Sequence, residues 1–320
     1  MGQWERRPMG KAAEESDERS GEREDGAGRG TRLRCVTLNL WGEQGPHVER
    51  LDLVIAELRR LGPDVVAFQE VREAPGRLRN QAETVARALS FDYGFGPATE
   101  WGGGWEGVAI LSRFGFRQSV IRALPHSAKT EGRVLFSAEL AGPAGALWVH
   151  TTHLSYRQEE GKEREDQILF IDGEVSTRRQ PPAVKESPQI LLGDFNATPE
   201  SDEIRWLSGL TTLGGRRVFY QDAWATARPG EPGYTWRIEN PFRARMSWLS
   251  ANRRIDYIFV TPARRDGRGT IRGAELAFTE PGARGIHPSD HAGVVADVQI
   301  VGAEPTPAVV PAPVGGEGAP

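Results

Sequence analysis

The chain has 320 residues and a single cysteine, Cys35, so an intrachain disulfide framework and a thiolate zinc site are both excluded. Long hydrophobic runs are also missing. No apolar stretch approaches the roughly 18 to 20 residues that cross a bilayer. The opening MGQWERRPMGKAAEESDERSGEREDG has no apolar segment of the kind a secretory signal needs, and Arg6 stands where an N-myristoylation motif requires Ser or Thr. These absences fit a reducing, cytoplasmic setting. Strong charge of one sign is missing too. The net charge of −4 and a pI near 6.0 are far from the basic balance common in nucleic-acid-binding domains.

What charge there is lies locally. Residues 1–31 and 301–320 each carry a net −2, so the stretch between them is neutral overall. Within that stretch, residues 216–272 hold twelve Arg against five acids. The first 31 residues are charged, Gly-rich and poor in apolar groups, and residues 301–320 form a Pro/Gly/Ala tail. Neither can bury enough surface to offset the entropy of ordering, so both are expected to be disordered around one domain at 32–300.

Hydrophobic residues make up 38% of the chain, enough for a sizeable core. The periodicity predicts strands at 34–40, 64–71, 107–112, 117–124, 133–140, 145–154, 189–196, 254–260, 271–278 and 291–300. Helices are expected at 47–62, 77–90 and 157–177. In the first helix Val48, Leu51, Val54, Ile55 and Leu58 share one face, and Gly62-Pro63 ends it. Both βα alternation and consecutive strands occur, which predicts an α/β fold of mixed sheets with helices outside.

Six strands carry polar groups at one end. Asn39, Glu70, His153, Asp194 and Asn196 stand at the C-terminal ends of four of them, whereas Asp256, Asp290 and His291 stand at the starts of the last two. If those two run antiparallel to the other four, all eight side chains reach one rim. The residue types suit phosphate-ester hydrolysis. Carboxylate and amide oxygens favour Mg²⁺ or Mn²⁺, a hard cation reverses the repulsion between carboxylates and a phosphate, and a histidine oriented by a carboxylate can activate water. Asp256 and His291 can form that pair. Each residue alone also has an ordinary reading: a turn cap for Asn39, an Arg partner for Glu70, a satisfied core histidine for His153, an Asx loop at Asp194–Asn196, and ion pairs of Asp256 with Arg253 or Arg254.

The segments TLNLWG, FQEV, GVAILSR, TTHL, GDFNATPES, RIDYIFV and PSDHAGVV occur in order over about residues 33–300. Together they resemble the endonuclease/exonuclease/phosphatase superfamily. The resemblance implies a four-layer sandwich of two packed, mixed β-sheets flanked by helices. It further implies Glu70 as the main metal ligand, helped by Asn39 and Asp290, with Mg²⁺ or Mn²⁺ as cofactor. Asp194 and Asn196 would position the phosphate and the attacking water or leaving oxygen. His153 would stabilise charge on the phosphate, and His291, held by Asp256, would be the base.

Two further segments are candidate substrate contacts. Trp101 and Trp105 stand on the Gly-rich WGGGWEG, read as a loop that either stacks a ligand or packs on the domain. Residues 234–254 mix Trp236, Phe242 and Trp248 with Arg237, Arg243 and Arg245, a candidate aromatic and basic wall. The expected activity is that of a divalent-metal-dependent phosphoric ester hydrolase, acting as a monomer. Its substrate would be a small molecule or lipid head group, or else DNA or RNA. The contrasting reading is a catalytically silent binding module on the same fold.

Overall fold

The computed structural model describes residues 32–178, 187–243 and 251–300. The expected disorder of the two tails lies outside the described residues. The first sheet contains β1 (Arg32–Asn39), β2 (Val65–Glu73), β3 (Asp92–Trp101), β4 (Gly104–Ser112), β11 (Ile271–Ala277) and β12 (Gly293–Gln299). The second contains β5 (Phe116–Ala123), β6 (Val134–Gly142), β7 (Gly145–His153), β8 (Ile190–Asp194), β9 (Gln221–Asp222) and β10 (Asp256–Val260). Their orders are β11-β12-β1-β2-β4-β3 and β5-β6-β7-β8-β10-β9. Both sheets are mixed: β1 runs parallel to β2 and antiparallel to β12, and β7 runs parallel to β8, which is antiparallel to β10.

Three apolar layers hold the sheets and helices together. Leu33, Cys35, Val65 and Ile110 of the first sheet meet Phe136, Val149, Leu192 and Ile258 of the second in the central layer. On the outer face of the first sheet, Val36, Phe68 and Leu111 pack under α1 (His47–Leu61) and α2 (Gln81–Leu89). On the outer face of the second, Leu191 and Phe259 pack under α3 (Gly161–Ser176) and α4 (Asp202–Leu207). This is the four-layer sandwich. α1 ends where its sequence says it should, with Gly62 in the left-handed conformation at φ 58 returning its N–H to Leu58. α5 (Ala223–Ala227) is a single short turn capped by Asp222.

Several elements differ from the sequence reading. α2 starts at Gln81, not 77, because Asn80 caps it by accepting the N–H groups of Ala82 and Glu83. The helix expected from 157 opens with a 3-10 turn at Gln158–Glu160. β3 was not expected at all. Its sequence, DYGFGPATEW, holds two Gly and a Pro, which usually argue against a strand. Here the strand lies at the sheet edge, where Pro97 is tolerated. Its glycines answer the opposite sheet: a Cβ on Gly94 would lie 2.6 Å from the Phe136 ring. Consequently WGGGWEG is not a loop but the tip of the β3–β4 hairpin, with Trp101 at the end of one strand and Trp105 near the start of the other.

Gly193, one residue before Asp194, sits where β8 presses on β7: a Cβ there would meet the Thr152 carbonyl oxygen at 2.1 Å. Gly193→Ala is therefore expected to lower stability by about 1 to 3 kcal/mol or more in urea unfolding. Gly173 in α3 has open space around it, and Gly173→Ala should raise stability by about 0.5 to 1 kcal/mol. His150 is fully buried between Ser137 Oγ and Gln189, and burial pushes it down to about 3. A depressed histidine contributes stability above its unfolded pKa, and that contribution is lost as pH falls from about 6.5 toward 3. Wild type should accordingly lose stability faster than His150→Gln across that window, by up to about 1.4 kcal/mol per pH unit; parallel curves would contradict it.

Candidate active site

Strand register sets the first part of the site. In the second sheet His153 is paired with Asp194 across β7–β8, and Asp256 is paired with Asp194 across β8–β10. Residues opposite one another project to the same face, so three titratable side chains line up over three adjacent strands. In the first sheet Asn39 is the last residue of β1, and Glu70 lies in a bulge of β2 between Phe68 and Val71. Glu70 adopts φ 52, unusual for a residue with a side chain, and the bulge re-aims its carboxylate. Asp290 and His291 precede β12, whose antiparallel course beside β1 brings them to the same rim. All eight polar residues picked out at the strand ends converge there.

The sheets meet at Asp194, whose side chain is buried. Its Oδ2 accepts the Asn39 Nδ2 at 3.1 Å, and its Oδ1 accepts the backbone N–H of Asn196 at 2.9 Å. His153 Nε2 and His291 Nε2 face the same Oδ2 from 3.5 and 3.8 Å. Asn39 also donates to Glu70 at 3.0 Å while its Oδ1 accepts the Trp41 N–H. His291 Nδ1 lies 2.9 Å from Asp256 Oδ2. Asp256 Oδ1 is buried without a hydrogen-bond partner among the described residues. Arg254 is not the partner of Asp256; it pairs with Asp222 at 2.6 Å. Asn196 takes φ 50 and donates its side-chain amide to the Leu154 carbonyl, so it fastens the loop after β8 to the end of β7.

The electrostatics follow from crowding the buried Asp194, Asp256 and Asp290 beside the half-buried Glu70. Burial and the neighbouring Asp256 raise Asp194 to about 7. Burial raises Asp290 to about 7 as well, with Glu70 adding repulsion against the opposing pull of His291 and Arg50. The two histidines go opposite ways. Burial, Arg133 and His291 hold His153 well below its ordinary value. Burial would lower His291 too, but Asp256, Asp290 and Asp194 outweigh it and raise it well above.

Four residues without any motif complete the arrangement. Arg50, buried in α1, donates to the carbonyls of Leu40, Trp41, Gly42, Gln44 and Pro288, tying the loop after β1 to the segment that carries Asp290. Arg133, immediately before β6, lies 3.0 Å from His153 Nδ1. Glu106 of β4 pairs with Arg72 and lies 4.0 Å from Arg133, and burial with Glu70 repulsion raises it to about 7. No spacing signal in the sequence distinguishes these from the other Arg and Glu residues. They become visible only once the strands are paired.

The family model for the endonuclease/exonuclease/phosphatase family matches residues 36–291. The chain belongs to that family. Among solved structures it resembles D. rerio TDP2 complexed with single-strand DNA product, with a TM-score of 0.65 and 22% identity, covering 84% of this chain and 99% of that one. It also resembles the family protein from Beutenbergia cavernae, with a TM-score of 0.63 and 22% identity over 84% of this chain and 72% of that one. TDP2 from C. elegans gives 0.64 and 18%, covering 84% and 76%. At these identities the likeness concerns the fold. No curated protein matches by sequence.

The expected substrate wall is only partly described. Trp236 packs its edge against the His291 ring at a centroid distance of 4.8 Å, and Phe242 stacks on Trp41 at 4.6 Å. Arg243, expected to face substrate, is instead 3% exposed and donates to the Ala251 carbonyl beneath Trp236. Its planar, multi-donor head takes that carbonyl in place of water while lying against the indole. Arg245 and Trp248 lie outside the described residues. Trp101 is half exposed with the Arg72 guanidinium over its ring at 4.2 Å, and Trp105 is half-buried on the facing strand.

Because Glu70 repels both Asp290 and Glu106, Glu70→Gln should lower the pKa of each from about 7 in the metal-free protein. Carboxyl ¹³C titration reads this directly, and unchanged midpoints would show that burial alone sets them.

Proposed function

We propose that the chain is a divalent-cation-dependent phosphoric ester hydrolase in which His291 and Asp256 activate the attacking water. The observation that carries this reading is the convergence of Asn39, His153 and His291 on the one buried carboxylate of Asp194, beside Glu70 and Asp290.

The donors suit a hard cation. Glu70, Asp290 and Asn39 offer oxygens, and the only cysteine, Cys35, is buried in the central layer. Burial first, and then the neighbouring carboxylates Asp256 and Glu70, raise Asp194 and Asp290 to about 7, and a dication would relieve that repulsion. Mg²⁺ or Mn²⁺ would be held by Glu70 and Asp290, beside Asn39, whose amide holds the Glu70 carboxylate in place. When bound it supplies neutralisation of charge on the phosphoryl oxygens. Asp194, Asp256 and His291 also bring ligand atoms within 4.8 Å of one another. We favour the Glu70 side because it leaves the His291–Asp256 hydrogen bond intact.

The protein's own groups then divide the work. Asp256 accepts from His291 Nδ1 and so aims Nε2 at the space beside Asp194. With a weaker negative field around it His291 would stand neutral, its Nδ1 proton held by Asp256, and Nε2 could accept a proton from water. Asp194 orients that water, and Asn196 fixes Asp194 through its backbone N–H. His153 faces the phosphoryl oxygens with Nε2 and stabilises the charge that develops on them in line with the attack.

A polynucleotide substrate is a second reading. The likeness to D. rerio TDP2, whose structure holds a single-strand DNA product, supports it, as do the half-exposed Trp101, under the Arg72 guanidinium, and Tyr156, beside Arg133. The neutral balance of residues 32–300 favours a small phosphodiester instead.

Bis-p-nitrophenyl phosphate should be hydrolysed with Mg²⁺ or Mn²⁺ and not with EDTA. His291→Ala should reduce kcat by about 10²- to 10⁴-fold. Absence of metal-dependent turnover on this ester and on a panel of single-stranded DNA, RNA, sphingomyelin and inositol phosphates would favour a binding module.

A further inference from the structure

His153 and Arg133 form a contact whose chemistry allows one arrangement. Arg133 Nη1 lies 3.0 Å from His153 Nδ1, and both side chains are buried, Arg133 at 5% exposure. A guanidinium has donors and no acceptor. The hydrogen bond therefore requires a lone pair on Nδ1, which puts the ring proton on Nε2. That nitrogen faces Asp194 Oδ2 at 3.5 Å, a carboxylate that can accept it. An imidazolium would instead set N–H against N–H and one buried cation beside another.

Arg133 is itself held from the far side. Glu131 accepts its Nη2 at 3.2 Å, Glu106 lies 4.0 Å from Nη1, and the Tyr156 ring lies 5.9 Å from its carbon centre. Glu106 is paired in turn with Arg72, whose guanidinium stacks on Trp101. The chain of contacts runs from the tip of the β3–β4 hairpin through β2, β4 and β6 to the end of β7. It leaves Arg133 little freedom to turn away from the imidazole.

We propose that Arg133 is a positioning residue that fixes the tautomer of His153, with the lone pair on Nδ1 and the proton on Nε2, so that His153 serves as a hydrogen-bond donor to the phosphoryl group and not as a second base. The functional part rests on the hydrolase reading above; the tautomer itself does not. The two site histidines are then opposite in sense. Asp256 accepts from Nδ1 of His291, leaving Nε2 to receive a proton, whereas Arg133 donates to Nδ1 of His153, leaving Nε2 to offer one.

Two-bond ¹H–¹⁵N correlation of the histidine rings tests this on the full-length, metal-free protein at pH 7.5, with His153→Gln assigning the signal. Wild type should show His153 protonated on Nε2 alone. Arg133→Met should lose that pattern and average the two tautomers, and Arg133→Lys, which keeps a donor, should restore it. His150, bonded to Ser137 and Gln189, should look the same in every folded variant and so reports the fold. A wild-type proton on Nδ1, on both nitrogens, or an unaltered pattern in Arg133→Met overturns the proposal. If Arg133→Met does not fold, the wild-type pattern still decides, since a proton on Nδ1 is incompatible with the contact. With Mg²⁺ and bis-p-nitrophenyl phosphate, Arg133→Met should lower kcat by about 10²-fold with KM within about threefold, the pattern of a donor lost in the transition state. A change confined to KM would assign Arg133 to ground-state binding and overturn the positioning role. A protein that hydrolyses nothing tested would remove the hydrolase reading and leave the tautomer measurement standing.

Discussion

Everything at the rim of this protein is arranged around a carboxylate that is almost wholly removed from water. Asp194 ends β8 with 1% of its surface exposed, and a lone buried carboxylate would be strongly destabilising. The surrounding groups offset that cost. Asn39 arrives from the other sheet, the Asn196 N–H from the following turn, His153 from the parallel neighbour and His291 from the far end of the chain. A hydrogen bond from Asn39 to Asp194 is also a bond between the two sheets. The same contact therefore closes the sandwich and builds the candidate site.

The excess negative charge is the second constraint. Arg50, Arg72 and Arg133 partly balance Glu70, Glu106, Asp194, Asp256 and Asp290, yet burial, reinforced by the neighbouring carboxylates, still raises Asp194, Asp290 and Glu106 to about 7. The cluster is left incompletely balanced, with Asp256 Oδ1 lacking a partner among the described residues. The β2 bulge and the positive φ of Glu70 and Asn196 place local strain at the same rim, where sheet pairing on both sides sustains it.

The eight polar residues at the strand ends were legible because each closes or opens an apolar run, and such runs are read directly as strands. The helix α1 was legible to its last residue because Gly62-Pro63 stops it. β3 was not, because its Gly and Pro look like loop chemistry until Phe136 of the other sheet is seen filling the space above Gly94. Arg243 reads in the sequence as a surface base among aromatics, but the fold buries it against a carbonyl under Trp236. Glu106 and Arg133 lie 27 residues apart on different sheets, and their closeness depends on sheet packing that no local pattern records.

From its sequence alone the protein was bound to be a mixed α/β domain with acidic, amide and imidazole groups at the ends of its strands, since periodicity and turn residues act locally and are written in order along the chain. Which of those groups touch, and in what protonation, only the tertiary structure decided. Register across β7, β8 and β10 and the approach of β1 from the opposite sheet set the distances, and Coulomb and desolvation effects change steeply with distance and burial. For that reason two histidines of the same residue type, facing one carboxylate, have opposite pKa shifts.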